Sequence, residues 1–296
     1  MGQGVYKSDN KINFIAKTLP GETGTARVLK SKKGVAFAAL QELDIRASNR
    51  IEAECPHYSQ CPGCDYLHTD YQSEITYKQL ALDKLLNRFF PKEMPVEIIS
   101  APRRTAYRNL REELKPMLKT LYKDRSWSET HKGSGHCELY LNRGEVTKSW
   151  NQPYAAGGFS QVFSEMNQAL RESVARYLPS GQLCSLLDLF AGDGNLSHLI
   201  VNERNVHRVM VDYQFPETAV DSSKQNFLAI DLFAEEALKR FQRQCKIKQF
   251  DVLLVDPPRK GFSKLNVWIK TFKPKYLVYV SCNPATLARD LDNLDG

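Results

Sequence analysis

From Leu183 onward, short runs that are apolar on both faces alternate with helical stretches, and nothing else in the 296 residues limits the fold as tightly. "CSLLDLF" precedes "NLSHLIVNE", and "HRVMVD" follows. "NFLAIDLF" leads into "AEEALKRFQRQ", "FDVLLVDPP" into "SKLNVWIKTF", and "KYLVYVSC" into "PATLARDLDNL". A strand wetted on one side alternates polar and apolar residues. These runs do not, so both faces must be covered, as in a parallel sheet with helices on either side. The expected class is a doubly wound α/β domain of about five strands. Ligands of such sheets bind beyond the carboxyl ends of the strands, so the informative residues should stand where each apolar run stops.

The first run ends in "DLFAGDGN", Asp188 to Asn195. Gly192 and Gly194 allow a tight turn and a close backbone approach to a ligand. Asn195 opens the next helical stretch. The second run ends in Asp212, 18 residues after Gly194, where a carboxylate can take both hydroxyls of a ribose. The third ends near Asp231, where an acceptor can read an adenine amino group. A nucleoside cofactor is implied. The dinucleotide fingerprint needs a third glycine where this chain has Ser197, which disfavours NAD and favours S-adenosylmethionine. A tight strand–helix turn with no cofactor role is the plainer alternative for the glycine pair alone.

The fourth run ends in "DPPRKG", Asp256 to Gly261, in which two prolines fix the backbone behind a carboxylate. The fifth, "YLVYV", delivers Cys282 to the same edge, ahead of a helix opened by Pro284. Amides at a helix N-terminus favour a thiolate. A buried, inert cysteine is the commoner fate of a lone thiol, but this one stands in a row of strand-end functional groups. A thiolate beside a methyl donor suits methylation of uracil C5. Addition of sulfur to C6 turns the ring into an enolate whose C5 can take a methyl group. Asp256, or the Gln161 amide, can hydrogen-bond the uracil edge and support that enolate. A base inside folded RNA must flip out to enter such a pocket.

The rest of the chain is less regular. Residues 1–52 carry short apolar runs broken by glycine-rich turns, "NFIAKTLPGETGTARVLKSKKGVAFAALQELDI", as in a small β-barrel. "QSEITYKQLALDKLLNRFF" reads as an amphipathic helix with Ile75, Leu82, Leu85, Leu86 and Phe89 on one stripe. "SEMNQALRESVARYL" is a second helix before the α/β pattern. Between residues 101 and 150, 11 Lys and Arg face 6 Asp and Glu, with Tyr107, Tyr122, Trp127, Tyr140 and Trp150 among them. That mixture can neutralise phosphates and stack on unpaired bases, or can be a solvated basic face over core aromatics. Hydrophobic residues make up 42% of the chain but never run unbroken for the roughly 18 positions a membrane span needs. The N-terminus lacks a signal peptide's apolar centre, so a cytoplasmic protein without a membrane partner is expected. In that reducing setting the 7 cysteines point to metal binding or catalysis rather than disulfides. Cys184 and Cys245 fall inside the α/β pattern and read as core.

"DPPRKG" and, fifteen residues on, "LVYVSCNPAT" together resemble the signature of the RNA uracil-C5 methyltransferases, which make 5-methyluridine in 23S ribosomal RNA and tRNA. "FSQVFSEMNQAL" resembles the family segment ahead of the catalytic domain. The resemblance implies a Rossmann-like S-adenosylmethionine-dependent methyltransferase domain over 153–296. It implies Cys282 as nucleophile and a cofactor site lined by Gln161, Phe190, Asn195, Asp212, Asp231 and Asp256. It implies that 1–52 is a shortened RNA-binding β module of the TRAM type, and that 53–152 joins a cluster region to a central RNA-binding region. Cys55, Cys61 and Cys64 match the C-x5-C-x2-C of members with a [4Fe–4S] cluster, and Cys137 falls where their distant fourth cysteine lies. A zinc site using His57 or His68 is the rival, and a structural role is expected because uracil methylation moves no electrons. The family continues into two further strands with a glutamate base for the C5 proton, and no residue before Gly296 matches it. The expected partner is structured RNA, ribosomal RNA ahead of tRNA uridine 54, and the expected state a monomer. A non-catalytic RNA-binding relative and a transferase acting on an exocyclic amine, which would need no thiol, are the competing readings.

Overall fold

The computed structural model describes residues 3–8, 11–59, 64–90, 96–105, 116–117, 120, 137–142, 145–150, 163–178, 183–200, 206–213 and 224–294. The chain divides into two compact units, Met1–Ser100 and Ala101–Gly296.

The first unit opens with four strands, β1 (Gln3–Ser8), β2 (Lys11–Ala16), β3 (Thr23–Lys32) and β4 (Val35–Ile45), in the order β1-β2-β4-β3. All neighbours are antiparallel except β2 and β4, which run parallel. Where a small β-barrel was expected, the residues form a four-stranded sheet with β1 and β3 at its two edges. Its faces are largely wet. β3 is exposed throughout, and only Ala36 and Ala38 of β4 are buried. Order comes instead from a polar cluster below the sheet. Glu22 accepts from the amides of Leu19 and Ala47 and from the Arg50 guanidinium, which also donates to the Lys17 carbonyl. These bonds hold its carboxyl below the usual range, against the upward push of burial. Helix α1 (Tyr71–Leu86) starts where Asp70 caps it by accepting from the Ser73 amide at 2.8 Å. The expected stripe Ile75, Leu82, Leu85 and Leu86 is half-buried, and the helix ends four residues short of the sequence pattern.

The second unit contains a hairpin, β5 (Cys137–Asn142) and β6 (Glu145–Trp150), then helix α2 (Ser164–Arg176) and the α/β domain. Its strands are β7 (Ser185–Leu189), β8 (His207–Asp212), β9 (Gln225–Ala229), β10 (Val252–Val255) and β11 (Tyr276–Tyr279). All pair in parallel, in the order β11-β10-β7-β8-β9. Helices α3 (Ala237–Gln244), α4 (Leu265–Phe272) and α5 (Pro284–Asp292) complete the domain. The side chains sort as the two-sided runs require. Leu187, Leu189, Val209, Leu253 and Val255 pack with Phe241, Trp268 and Phe272 on one face. Leu186, Val252 and Leu254 pack with Val174, Ala175 and Leu178 on the other. Strand order reverses between β7 and β10, so the crevice at their carboxyl ends is where this architecture receives a ligand. Among the described residues no helix is long and apolar enough to cross a membrane.

Candidate active site

Five strand ends meet at one edge of the sheet. After β7 the chain enters Phe190 at φ 61°, an uncommon conformation for a side chain of that size, and turns through Gly192 and Gly194 at φ 56° and 79°. A Cβ on Gly192 would meet nothing within 4 Å, so the turn borders open space. At the end of β8, Asp212 accepts from the Gly192 amide at 2.8 Å and from the Tyr213 amide at 2.6 Å. Asp231, just past β9, accepts from the Phe233 amide at 2.9 Å. These three backbone-anchored groups form a row along β7, β8 and β9 in which a nucleoside can lie. Asn195 has a different tie: its amide pairs with that of Asn167 on α2, at 2.7 and 3.2 Å.

On the far side of the switch point, Asp256 follows β10. Its amide donates to Leu189 across the crevice, and no described group hydrogen-bonds its carboxyl. Burial alone pushes that carboxyl up to about 6. Cys282 lies between β11 and α5 with its thiol exposed at this same edge rather than walled off. Asn283 caps the helix by accepting from the Ala285 amide, and Pro284 occupies its first turn. Phe262 packs edge to face against Phe190 and Phe233, whose rings are tilted to each other, at centroid distances of 5.0 to 6.1 Å. Lys264 ties them down by donating to the carbonyls of Phe233 and Ala234, both at 2.8 Å.

Some expectations meet the structure differently. Gln161 lies outside the described residues, as do Cys61 and most of the basic stretch, including Tyr107, Tyr122 and Trp127. The side chains of Cys137, Tyr140 and Trp150 are also outside them. Cys55 is half-buried and Cys64 exposed. Among the described residues no group of three or more His, Cys, Asp or Glu is arranged to hold a metal ion. His57 is exposed, whereas His68 is buried, with Nδ1 bonded to the Tyr58 hydroxyl at 2.5 Å. Cys245 is buried as expected, but Cys184, just before β7, is exposed.

Residues 145–296 match the tRNA (uracil-5-)-methyltransferase family, just over half of the chain. The chain belongs to that family. Its α/β domain is accordingly an enzyme domain of the RNA uracil-C5 methyltransferase kind, with the parallel sheet of such enzymes. Across its length it is 28% identical to the 23S rRNA (uracil(1939)-C(5))-methyltransferase RlmD of Shewanella frigidimarina, over 397 positions that cover 98% of this chain and 86% of that one. The corresponding protein of Vibrio vulnificus is 26% identical over 380 positions, covering 99% and 87%. Both alignments are longer than the chain itself, so these relatives carry internal segments that it lacks. Among solved structures, the Pyrococcus abyssi tRNA (uracil-54, C5)-methyltransferase in complex with S-adenosyl-L-homocysteine shares the fold. The TM-score is 0.57 at 16% identity, over 99% of this chain and 93% of that one.

Several residues that support this strand edge went unnoticed in the sequence. Asn167, Asp188 and Arg208 surround the glycine turn, and Asp290 lies under the Asp256 loop. One signal was available: an arginine inside the otherwise apolar run "HRVMVD".

Proposed function

We propose that this enzyme transfers the methyl group of S-adenosylmethionine to C5 of a uridine in 23S ribosomal RNA, through a covalent bond from Cys282 to C6. The observation that carries the reading is the pair at the switch-point edge: an exposed thiol after β11 and a desolvated carboxyl after the adjoining β10. The cofactor fits the row opposite. Open space above Gly192 and the anchored carboxylates of Asp212 and Asp231 suit a nucleoside, with Phe190, Asn195, Asp256 and Gln161 completing the site. When bound, S-adenosylmethionine supplies an electrophilic methyl group on a sulfonium. The Cys282 sulfur forms a bond to C6, and the C5–C6 electron pair moves towards the C4 carbonyl. The Asp256 carboxyl, raised to about 6, in its protonated form donates a hydrogen bond to the uracil edge while that charge develops. After C5 is methylated its proton leaves to a base outside the described residues, the electrons re-form the C5–C6 double bond, and the thiolate departs.

The remaining modules follow the same reading. Cys55, Cys61, Cys64 and Cys137 hold a [4Fe–4S] cluster in the region 53–152, where a set of thiols suits iron–sulfur better than a hard cation. The β module 1–52 and the basic central stretch grip structured RNA, and 153–296 performs the chemistry in a cytoplasmic monomer. A cleft of about 860 Å³ in the first unit, lined by Tyr6, Tyr66 and Tyr77, offers stacking surfaces to unpaired bases. Ribosomal RNA is favoured by the names of the full-length relatives; tRNA uridine 54 is the alternative, from the family description and the archaeal structure. The test uses 5-fluorouridine-substituted 23S rRNA and tRNA. A covalent adduct with the rRNA that disappears in Cys282→Ser is expected. An adduct with tRNA alone moves the substrate to tRNA, and none with either RNA refutes the mechanism.

A further inference from the structure

One face of β8 presents Arg208, Met210 and Asp212 in succession to the glycine turn. Asp212 holds the turn at Gly192. Two strand positions earlier, Met210 is buried against Ala191 and Phe227. Arg208, 6% exposed, holds the turn's other end: its Nη1 donates to the Gly194 carbonyl at 3.2 Å and to Ser197 Oγ at 2.9 Å. Its Nη2 donates to Gln225 Oε1 on β9 at 2.8 Å. Ser197 in turn donates to Asp188 Oδ2 on β7 at 2.5 Å, with both residues 2% exposed or less. Three neighbouring strands are thereby laced to one turn, through the buried side chains of Asp188, Ser197 and Arg208 and the half-buried Gln225. The fit is close. A Cβ on Gly194 would stand 2.6 Å from Arg208 Nη1 and 2.7 Å from Met210 Sδ.

Stability does not account for this arrangement. Withdrawing a guanidinium and a carboxyl from water costs several kcal/mol each, and well-packed apolar residues in place of buried ions are often neutral or stabilising. Burial accordingly lowers the Arg208 pKa and pushes the Asp188 carboxyl up to about 7. What the polar set supplies, and an apolar one would not, is direction. It fixes the Gly194 carbonyl inward, so that the backbone of Gly192 to Asn195 is presented outward to the crevice.

We infer that Arg208 is a positioning residue for cofactor binding, acting through the Gly194 carbonyl and Ser197 to hold the glycine turn in its receiving shape. The inference rests on the S-adenosylmethionine reading of the crevice. A variant that keeps the core filled but loses direction, Arg208→Met, separates this role from a structural one. Calorimetric titration with S-adenosylhomocysteine should show at least a tenfold weaker Kd at a temperature where circular dichroism shows the variant folded. In turnover, the defect should lie in the cofactor KM more than in kcat. Arg208→Lys, which can reach Gly194 but not also Gln225, should fall between. A folded Arg208→Met that binds within twofold of wild type overturns the inference. If that variant does not fold, Ser197→Ala and Arg208→Lys carry the test, and an unchanged Kd in both overturns it equally. A wild-type chain that binds no S-adenosylhomocysteine removes the cofactor reading, and this inference with it.

Discussion

Replacing Asp256 by Asn should make the ligand-free enzyme more stable. The carboxyl is held away from water with no described hydrogen-bonding partner, and its pKa rises from 3.8 to about 6. Each pKa unit is worth about 1.4 kcal/mol, so an ionised Asp256 costs the folded state about 3 kcal/mol. Because the folded value is the raised one, the folded state binds the proton more tightly than the unfolded chain. The cost is absent below pH 3.8, grows as pH rises through about 6, and is complete above it. Asn carries no charge at any of these values. Its advantage should therefore be about 1 kcal/mol at pH 4.5 and about 3 kcal/mol at pH 8.5. Urea denaturation followed by tryptophan fluorescence measures it, since all 3 tryptophans lie in the second unit with Asp256. Methyl transfer should instead fall at least about a hundredfold in Asp256→Ala, which removes the donor that Asn keeps. An Asp256→Asn chain no more stable than wild type at pH 8.5, or an advantage that does not widen between the two pH values, would refute the reasoning.

Asp290→Ala should cost about 3 kcal/mol, measured by the same denaturation at neutral pH, because it strands the Phe262 amide and the Tyr279 hydroxyl that the buried carboxylate now accepts. Cys55→Ala should abolish a brown chromophore and lower iron and acid-labile sulfide from about four each per chain when the protein is purified without oxygen. Zinc in the wild-type protein would replace the iron–sulfur assignment, and no metal at all would refute it.

The α/β half was legible because one physical requirement wrote it twice. Runs such as "VLLV" must bury both faces, and the residues after them, Asp212, Asp231, Asp256 and Cys282, could then be placed at a single edge without knowing strand order. The supports behind that edge were not legible. Asp188, Ser197 and Arg208 are 9 to 20 residues apart and meet only because β7 and β8 pair with Leu186 beside Arg208. Asp290 sits on what looks like a polar helix position in "LARDLD", yet it is 1% exposed because the loop after β10 folds over it. In the first unit, the glycine-rich turns marked strands correctly, but the parallel pairing of β2 with β4 skips over β3, which local pattern does not encode. Cys184 was misjudged for a related reason: Leu183 before it is buried in the core, yet Cys184 itself points out of it, which the apolar run does not reveal.

The loop after β10 is stitched to α5 along its length. Asn283 and Thr286 donate to the Arg259 carbonyl, Arg289 to that of Lys260, and Asp290 receives the Phe262 amide. Gly261, at φ 72°, is pressed so close that a methyl group there would strike the Asp290 carboxylate. Carboxyl and thiol therefore travel as a single jaw. The spacing of carboxyl and thiol is thus set by bonds between the loop and α5 rather than by either strand alone.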